Sequence, residues 1–183
     1  MNKRIAILRG INVGGNRKIL MADLKRLFND LGYESVQTYI QSGNVIFDST
    51  SDRDNSDIAD QIEKSIADKY GFKVPVIVVT VNQLKDAIAS NPFFNSDISD
   101  VDRLHLTFLK RIPEKHKLIE LQTHNFHPDN YSIEKGIVFI YCSGKYSESK
   151  LTNKFFENKL KVASTTRNWK TVLKLSELSD SCK

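Results

Sequence analysis

Cysteine is scarce in this chain of 183 residues. Cys142 and Cys182 lie far apart with no CxxC spacing, which excludes the dense disulfide framework of small secreted domains and favours reduced thiols. Long apolar runs are missing too: VPVIVVTV and GIVFIYC are far too short to span a bilayer, and the charged N-terminus does not fit a signal peptide. A cytoplasmic protein with no membrane partner is expected. The four histidines, His105, His116, His124 and His127, have no cysteine or carboxylate at metal-ligand spacing, so no zinc site and no cofactor are expected. No GxSxG or GxGxxG occurs, and no serine has a visible histidine and acid set, so no catalytic residue is assigned.

What is present describes a globular chain, 40% hydrophobic and 27% charged. Its net charge of +5 is unevenly spread. Residues 144–174 carry eight bases against two acids and the first fifty carry seven against four, whereas residues 51–100 carry five against nine.

KRIAILR reads as a strand, and Leu20, Leu24, Leu27, Phe28 and Leu31 then share one helical face before Gly32. VQTYI and NVIFD form a hairpin turning on Ser42, Gly43 and Asn44. A second helix starts near Asn55 or Ser56, either serving as N-cap, and places Ile58, Ile62, Ile66 and Tyr70 at four-residue spacing. VPVIVVTV is the fourth strand, and Pro75, which cannot donate to a ladder, puts it at a sheet edge. Strand, helix, strand, strand, helix, strand is the ferredoxin-like pattern.

The second half echoes the first. RLHLTFLK is a strand, Pro113 opens a helix at its first position, and YSIEKGIVFIYC is a hairpin on Lys135 and Gly136. SKLTNKFFENKLK is helical, VASTT is a short closing strand, and RNWKTVLKLSEL is a last helix. The fold class expected is α+β, with two tandem ferredoxin-like (βαββαβ) subdomains, antiparallel sheets and a C-terminal helix. The boundaries are 1–81, a connector over 82–102 that contains Pro92, and 103–183.

The loop RGINVGGNRK nearly spells a P-loop, because Gly10 and Gly15 have the GxxxxG spacing after a strand. Asn16 and Arg17 stand where that motif needs lysine and a hydroxyl residue, so the nucleotide fingerprint fails. A looser anion site remains: Gly10, Gly14 and Gly15 supply backbone N–H groups, Arg9 and Arg17 charge, and Asn12 an amide. The bland reading is a strained corner. In an antiparallel sheet the QSGN turn falls beside the end of the first strand, which adds Gln41, Ser42 and Asn44 to the same rim. A basic C-terminal segment contributes Lys150, Arg167, Asn168 and Trp169 as further ligand-binding residues. Trp169 either stacks a base or plugs the core, and the core reading is preferred.

At RGINVGGNRKILMADL, TYIQSGNVIF, SKLTNKFFE and TTRNWKTVLKL the chain resembles the bacterial domain-of-unknown-function family 1697 over nearly its whole length. The resemblance implies a cytoplasmic protein of tandem ferredoxin-like architecture. It implies no activity. The residues themselves favour a binder of a phosphate-bearing small molecule or nucleic acid, against an enzyme acting on a phosphorylated metabolite or a ligand-free structural module. Oligomeric state is not readable from the sequence, and NVIFD lacks the RNP1 run of RNA-binding ferredoxin-like domains.

Overall fold

A computed structural model describes residues 2–94 and 100–181. Cys182 and the 95–99 part of the expected connector lie outside the described residues. The chain runs β1 (Asn2–Leu8), α1 (Met21–Asp30), β2 (Glu34–Tyr39), β3 (Asn44–Ser49), α2 (Asn55–Tyr70) and β4 (Val76–Thr80). After α3 (Val81–Ala89) the order recurs as β5 (Leu104–Leu109), α4 (Lys115–Gln122), β6 (Asn130–Glu134), β7 (Ile137–Tyr141), α5 (Asn153–Leu160) and β8 (Ser164–Asn168). Helix α6 (Trp169–Ser181) follows.

The fold is mixed α+β with two four-stranded antiparallel sheets, ordered β2-β3-β1-β4 and β6-β7-β5-β8. Pro75 precedes β4, an edge strand, where a missing N–H costs no ladder bond. The chain divides into a first unit, residues 1–85 with 175–183, and a second, residues 86–174. The sequence reading kept all of 103–183 together, but the end of α6 belongs with the first unit. Lys3 Nζ donates to the Ser179 carbonyl at 2.9 Å and Lys85 reaches Asp180 at 2.6 Å.

In the first unit, Ala6, Leu8, Val45, Phe47, Val76 and Val78 line one sheet face and pack with Leu24, Leu27 and Phe28 of α1 and Ile58, Ile62 and Ile66 of α2. The helical spacing of those residues explains why both helices lie on that face. Ile5, Ile7, Ile46 and Ile77 point the other way and are also buried, so β1 reads as a continuous apolar run. In the second unit, Val138, Ile140, Leu151, Phe156 and Leu160 form the corresponding core. All six residues of β5 are buried, although His105 and Thr107 alternate with apolar residues. Their polarity is met locally: the Thr107 and Thr166 hydroxyls lie 2.7 Å apart, and the His105 ring stacks on Tyr146 at 4.4 Å. Burial pulls the His105 pKa below 6.5.

Several local expectations shift. The N-cap of α2 is Asp54, not Asn55 or Ser56, and it makes no side-chain cap bond. Pro113 lies outside α4, whose N-cap is Glu114. The SKLT segment precedes α5, and the Thr152 hydroxyl caps that helix through Phe155 N–H. Strand β8 takes Arg167 and Asn168 from the expected last helix, and Asn168 Oδ1 accepts from Thr171 N–H at 2.8 Å to start α6. The QSGN turn occupies residues 40–43, so Asn44 belongs to β3, where it pairs with Ile7.

Candidate functional site: the hairpin rim of the first unit

Beyond β1, Arg9 N–H still donates to the Pro75 carbonyl at 2.9 Å, and Ile11 turns fully inward. The next six residues form a miniature hairpin. Asn12 N–H donates to the Arg17 carbonyl, Val13 bridges Asn16, and Gly14 and Gly15 occupy the tip with φ of 59° and 77°. Two successive positive φ values make a type I′ turn, which explains the paired glycines. Gly14, Gly15, Asn16, Arg17 and Lys18 are all exposed.

The base of the hairpin is clamped by Asn12. Its Nδ2 donates to the carbonyls of Ile19 and Gln41, both at 2.9 Å, and its Oδ1 accepts from Ile19 N–H at 2.9 Å. The RGINVGG loop and the QSGN turn therefore meet, with Leu8 N–H also donating to the Gly43 carbonyl. Gly43 has φ 85°, and a Cβ there would stand 2.7 Å from Ile11 Cδ1 and 2.8 Å from Leu8 Cβ. Both conformation and space demand glycine.

Three non-glycine residues around this clamp hold positive φ: Asn12 at 57°, Arg17 at 49° and Ile40 at 50°. The last is β-branched, and such a conformation persists only where the surroundings enforce it. The Arg17 guanidinium folds back over Gly10, where a Cβ would be 3.2 Å from its Nη1. Val13, Leu20 and Ile40 are exposed at 62%, 71% and 46%, each one residue from a member of the Asn12, Ile19 and Gln41 clamp.

The structure assigns the expected residues unequal places. Gly14, Gly15, Arg17 and Gln41 are exposed at the rim, Gly10 lies beneath Arg17, and Arg9 and Ser42 are half-buried. Two residues are corrected. The Asn12 amide is committed to backbone partners, and Asn44 is fully buried, with Nδ2 donating to the Tyr39 carbonyl at 3.2 Å. Lys18, beside Arg17 in the quoted loop, was passed over because an exposed lysine carries little signal alone.

Lys150, Arg167, Asn168 and Trp169 belong to the second unit. Trp169 is fully buried against Phe94, with ring centroids 5.2 Å apart, so it offers no stacking face. Asn168 is the helix cap described above. Arg167 shares a sheet face with Leu106 and Phe139; Nη1 donates to the Thr166 carbonyl at 3.0 Å, and burial lowers its pKa to about 10. Lys150 is exposed beside an open pocket of about 390 Å³ that Asp129 and Ser149 also line. Both Asp129 oxygens are engaged, by Ser143 N–H and hydroxyl at 2.9 Å and Ser149 hydroxyl at 2.6 Å. Burial alone would raise that carboxyl, and the bonds from Ser149 and Ser143 outweigh it, holding the pKa below 3.8.

Among the described residues no group of three or more histidine, cysteine, aspartate or glutamate side chains is placed to hold a metal, and no helix is long and apolar enough to cross a membrane. A family model matches residues 1–139. The chain belongs to the family described as protein of unknown function (DUF1697). No curated protein matches it. Among solved structures, this DUF1697 chain is similar to conserved bacterial protein SP0830 from Streptococcus pneumoniae, at 24% identity and a TM-score of 0.77, over 97% of this chain and 98% of that one. That likeness is one of fold.

Proposed function

We propose that the hairpin rim of the first unit binds a phosphate-bearing ligand, a nucleotide or a nucleic-acid backbone. One observation carries this reading: an exposed type I′ tip, Gly14–Gly15, stands beside Arg17 and Lys18, with the Arg17 guanidinium drawn over bare Gly10. Backbone N–H groups at such a tip and a planar guanidinium are suited to oxyanions. Backbone strain at Arg17 and Ile40 supports the choice of place, because strain of this kind collects at functional sites. In the same proposal each sheet, with its strand order and crossovers, is ferredoxin-like, and the protein resides in the cytoplasm.

The reading rests on the first unit alone. Fluorescence titration with labelled ATP, GTP and a short RNA tests it, with Arg17→Ala and Lys18→Ala each expected to weaken binding about tenfold, as for one lost charge-assisted contact. A steep loss of affinity with salt would select nucleic acid over nucleotide. If none of the three binds at millimolar concentration, the reading fails. The ligand-free module draws on a separate observation, the commitment of Asn12 to internal bonds, and would then stand in its place.

A further inference from the structure

Two open hollows in the second unit meet at Asp129. One, of about 370 Å³, is lined in part by His124, Phe126, Tyr131 and Ile133; the other, of about 390 Å³, is lined in part by Ser143, Lys145, Glu148, Ser149 and Lys150. Asn125, Phe126 and Asp129 line both, so the hollows are lobes of one cleft with an aromatic end and a charged end.

The aromatic end is held in place. Phe126 meets Phe155 edge-on at 4.9 Å and Tyr131 at 6.0 Å, and the Tyr131 hydroxyl is tied to the Leu121 carbonyl. Both Phe126 and Tyr131 are only half-buried, which leaves ring surface open to the cleft.

The charged end carries both signs. Asp129 is held ionised by three bonds from Ser143 and Ser149, and all three donors are neutral. Its two oxygens offer about four acceptor positions, so one remains for a further donor. Lys145 and Lys150, in the same lobe, are exposed, and among the described residues neither pairs with an acid. Glu148 stands over Gly144, where an added Cβ would lie 3.9 Å from its Oε2. Acids and bases thus line one lobe in equal number, an arrangement complementary to a ligand that itself carries both charges.

We infer that this cleft binds an aromatic α-amino acid, with its ring against Phe126 and Tyr131, its ammonium on Asp129 and its carboxylate between Lys145 and Lys150. A nucleotide would set its phosphate beside Asp129 and Glu148, and a plain amine would leave both lysines unmet; a zwitterion with an adjacent ring satisfies each group. All of these groups belong to the second unit and none to the hairpin rim.

A cleft this open and a ligand this small give a weak complex, with a dissociation constant of roughly 0.1–2 mM, so amide NMR of the full chain is run with L-phenylalanine up to about 10 mM. Saturable shifts are expected at Asp129, Ser143, Lys145 and Lys150. Phenyllactate, with a hydroxyl in place of the ammonium, and phenethylamine, without the carboxylate, should each bind about tenfold more weakly, as for one lost charge-assisted contact. Glycine, without the ring, should bind more weakly still. Lys150→Ala, at an exposed position, should weaken phenylalanine about threefold and leave phenethylamine unchanged. No shift in the cleft at the highest concentration overturns the inference, as does phenyllactate or phenethylamine binding as tightly as phenylalanine. Equal binding of glycine removes the aromatic contact and overturns the ligand class with it.

Discussion

Replacing Gly43 by alanine is the sharpest probe of how the two N-terminal motifs lock together. The new Cβ incurs two costs. At φ 85° an L residue loses about 1–2 kcal/mol relative to glycine. Contacts of 2.7 Å to Ile11 Cδ1 and 2.8 Å to Leu8 Cβ add an overpacking cost of about 1–3 kcal/mol. Ile11 Cδ1 ends a rotatable but fully buried side chain and Leu8 Cβ is fixed by the β1 backbone, so the clash is not fully relieved. The sum, about 2–5 kcal/mol, is a large fraction of the stability of an ordinary domain and corresponds to a fall in Tm of roughly 5–15 °C. Gly15→Ala is the matched control: its φ is 77°, and a Cβ there meets nothing within 4 Å, so only the conformational cost applies. Thermal and urea unfolding of both variants isolate the packing contribution, and Gly43→Ala combined with Ile11→Ala should recover part of it. If the two alanine variants lose the same stability within about 0.5 kcal/mol, the account of Gly43 as a close-approach glycine is wrong.

Asn12→Ala removes three hydrogen bonds of the clamp and should destabilise by about 1–3 kcal/mol; Asn12→Asp should restore little, because a carboxylate cannot donate to the Ile19 and Gln41 carbonyls, and urea midpoints decide both. His105 is held neutral by burial, so its folded pKa lies below the unfolded value near 6.5. Its contribution to stability is therefore complete above about pH 6.5 and is lost as pH falls from there through the folded pKa, and His105→Gln should flatten that part of the stability profile. Together with the titrations of Arg17 variants, these measurements cover both units.

Much of the fold was legible because its periodicities are clean. Ile58, Ile62 and Ile66 at four-residue spacing mark α2, and Pro75 marks an edge strand. Boundaries failed where a polar residue had two equally good local uses. Asn168 reads as helical from its neighbours, yet it closes β8 and caps α6 at once. The end of α6 was assigned to the wrong unit because the bonds Lys3–Ser179 and Lys85–Asp180 link residues far apart in sequence.

The rim was legible in part. Antiparallel pairing of β1 with β3 places RGINVGG beside QSGN, and that follows from topology alone. The role of each polar residue does not. Asn12 and Arg17 look interchangeable as ligand-binding groups in the sequence and both hold positive φ, whereas 2.9 Å bonds commit the Asn12 amide inward and the Arg17 side chain lies exposed over Gly10. Trp169 is likewise decided by burial, which sequence spacing does not report. Leu20, which periodicity sets on one helical face with Leu24, Leu27, Phe28 and Leu31, is instead the exposed N-cap residue of α1, and the exposed Val13 and Ile40 left no periodic signal because each sits in a turn or tight hairpin.

The proposal that the Gly14–Gly15 tip and Arg17 form an anion-binding rim is tested most directly by the backbone amide resonances of those two glycines during an ATP titration. The account predicts saturable shifts at Gly14 and Gly15 that are weakened in Arg17→Ala. Shifts confined to other residues, or none at millimolar ATP, GTP and RNA, would contradict it.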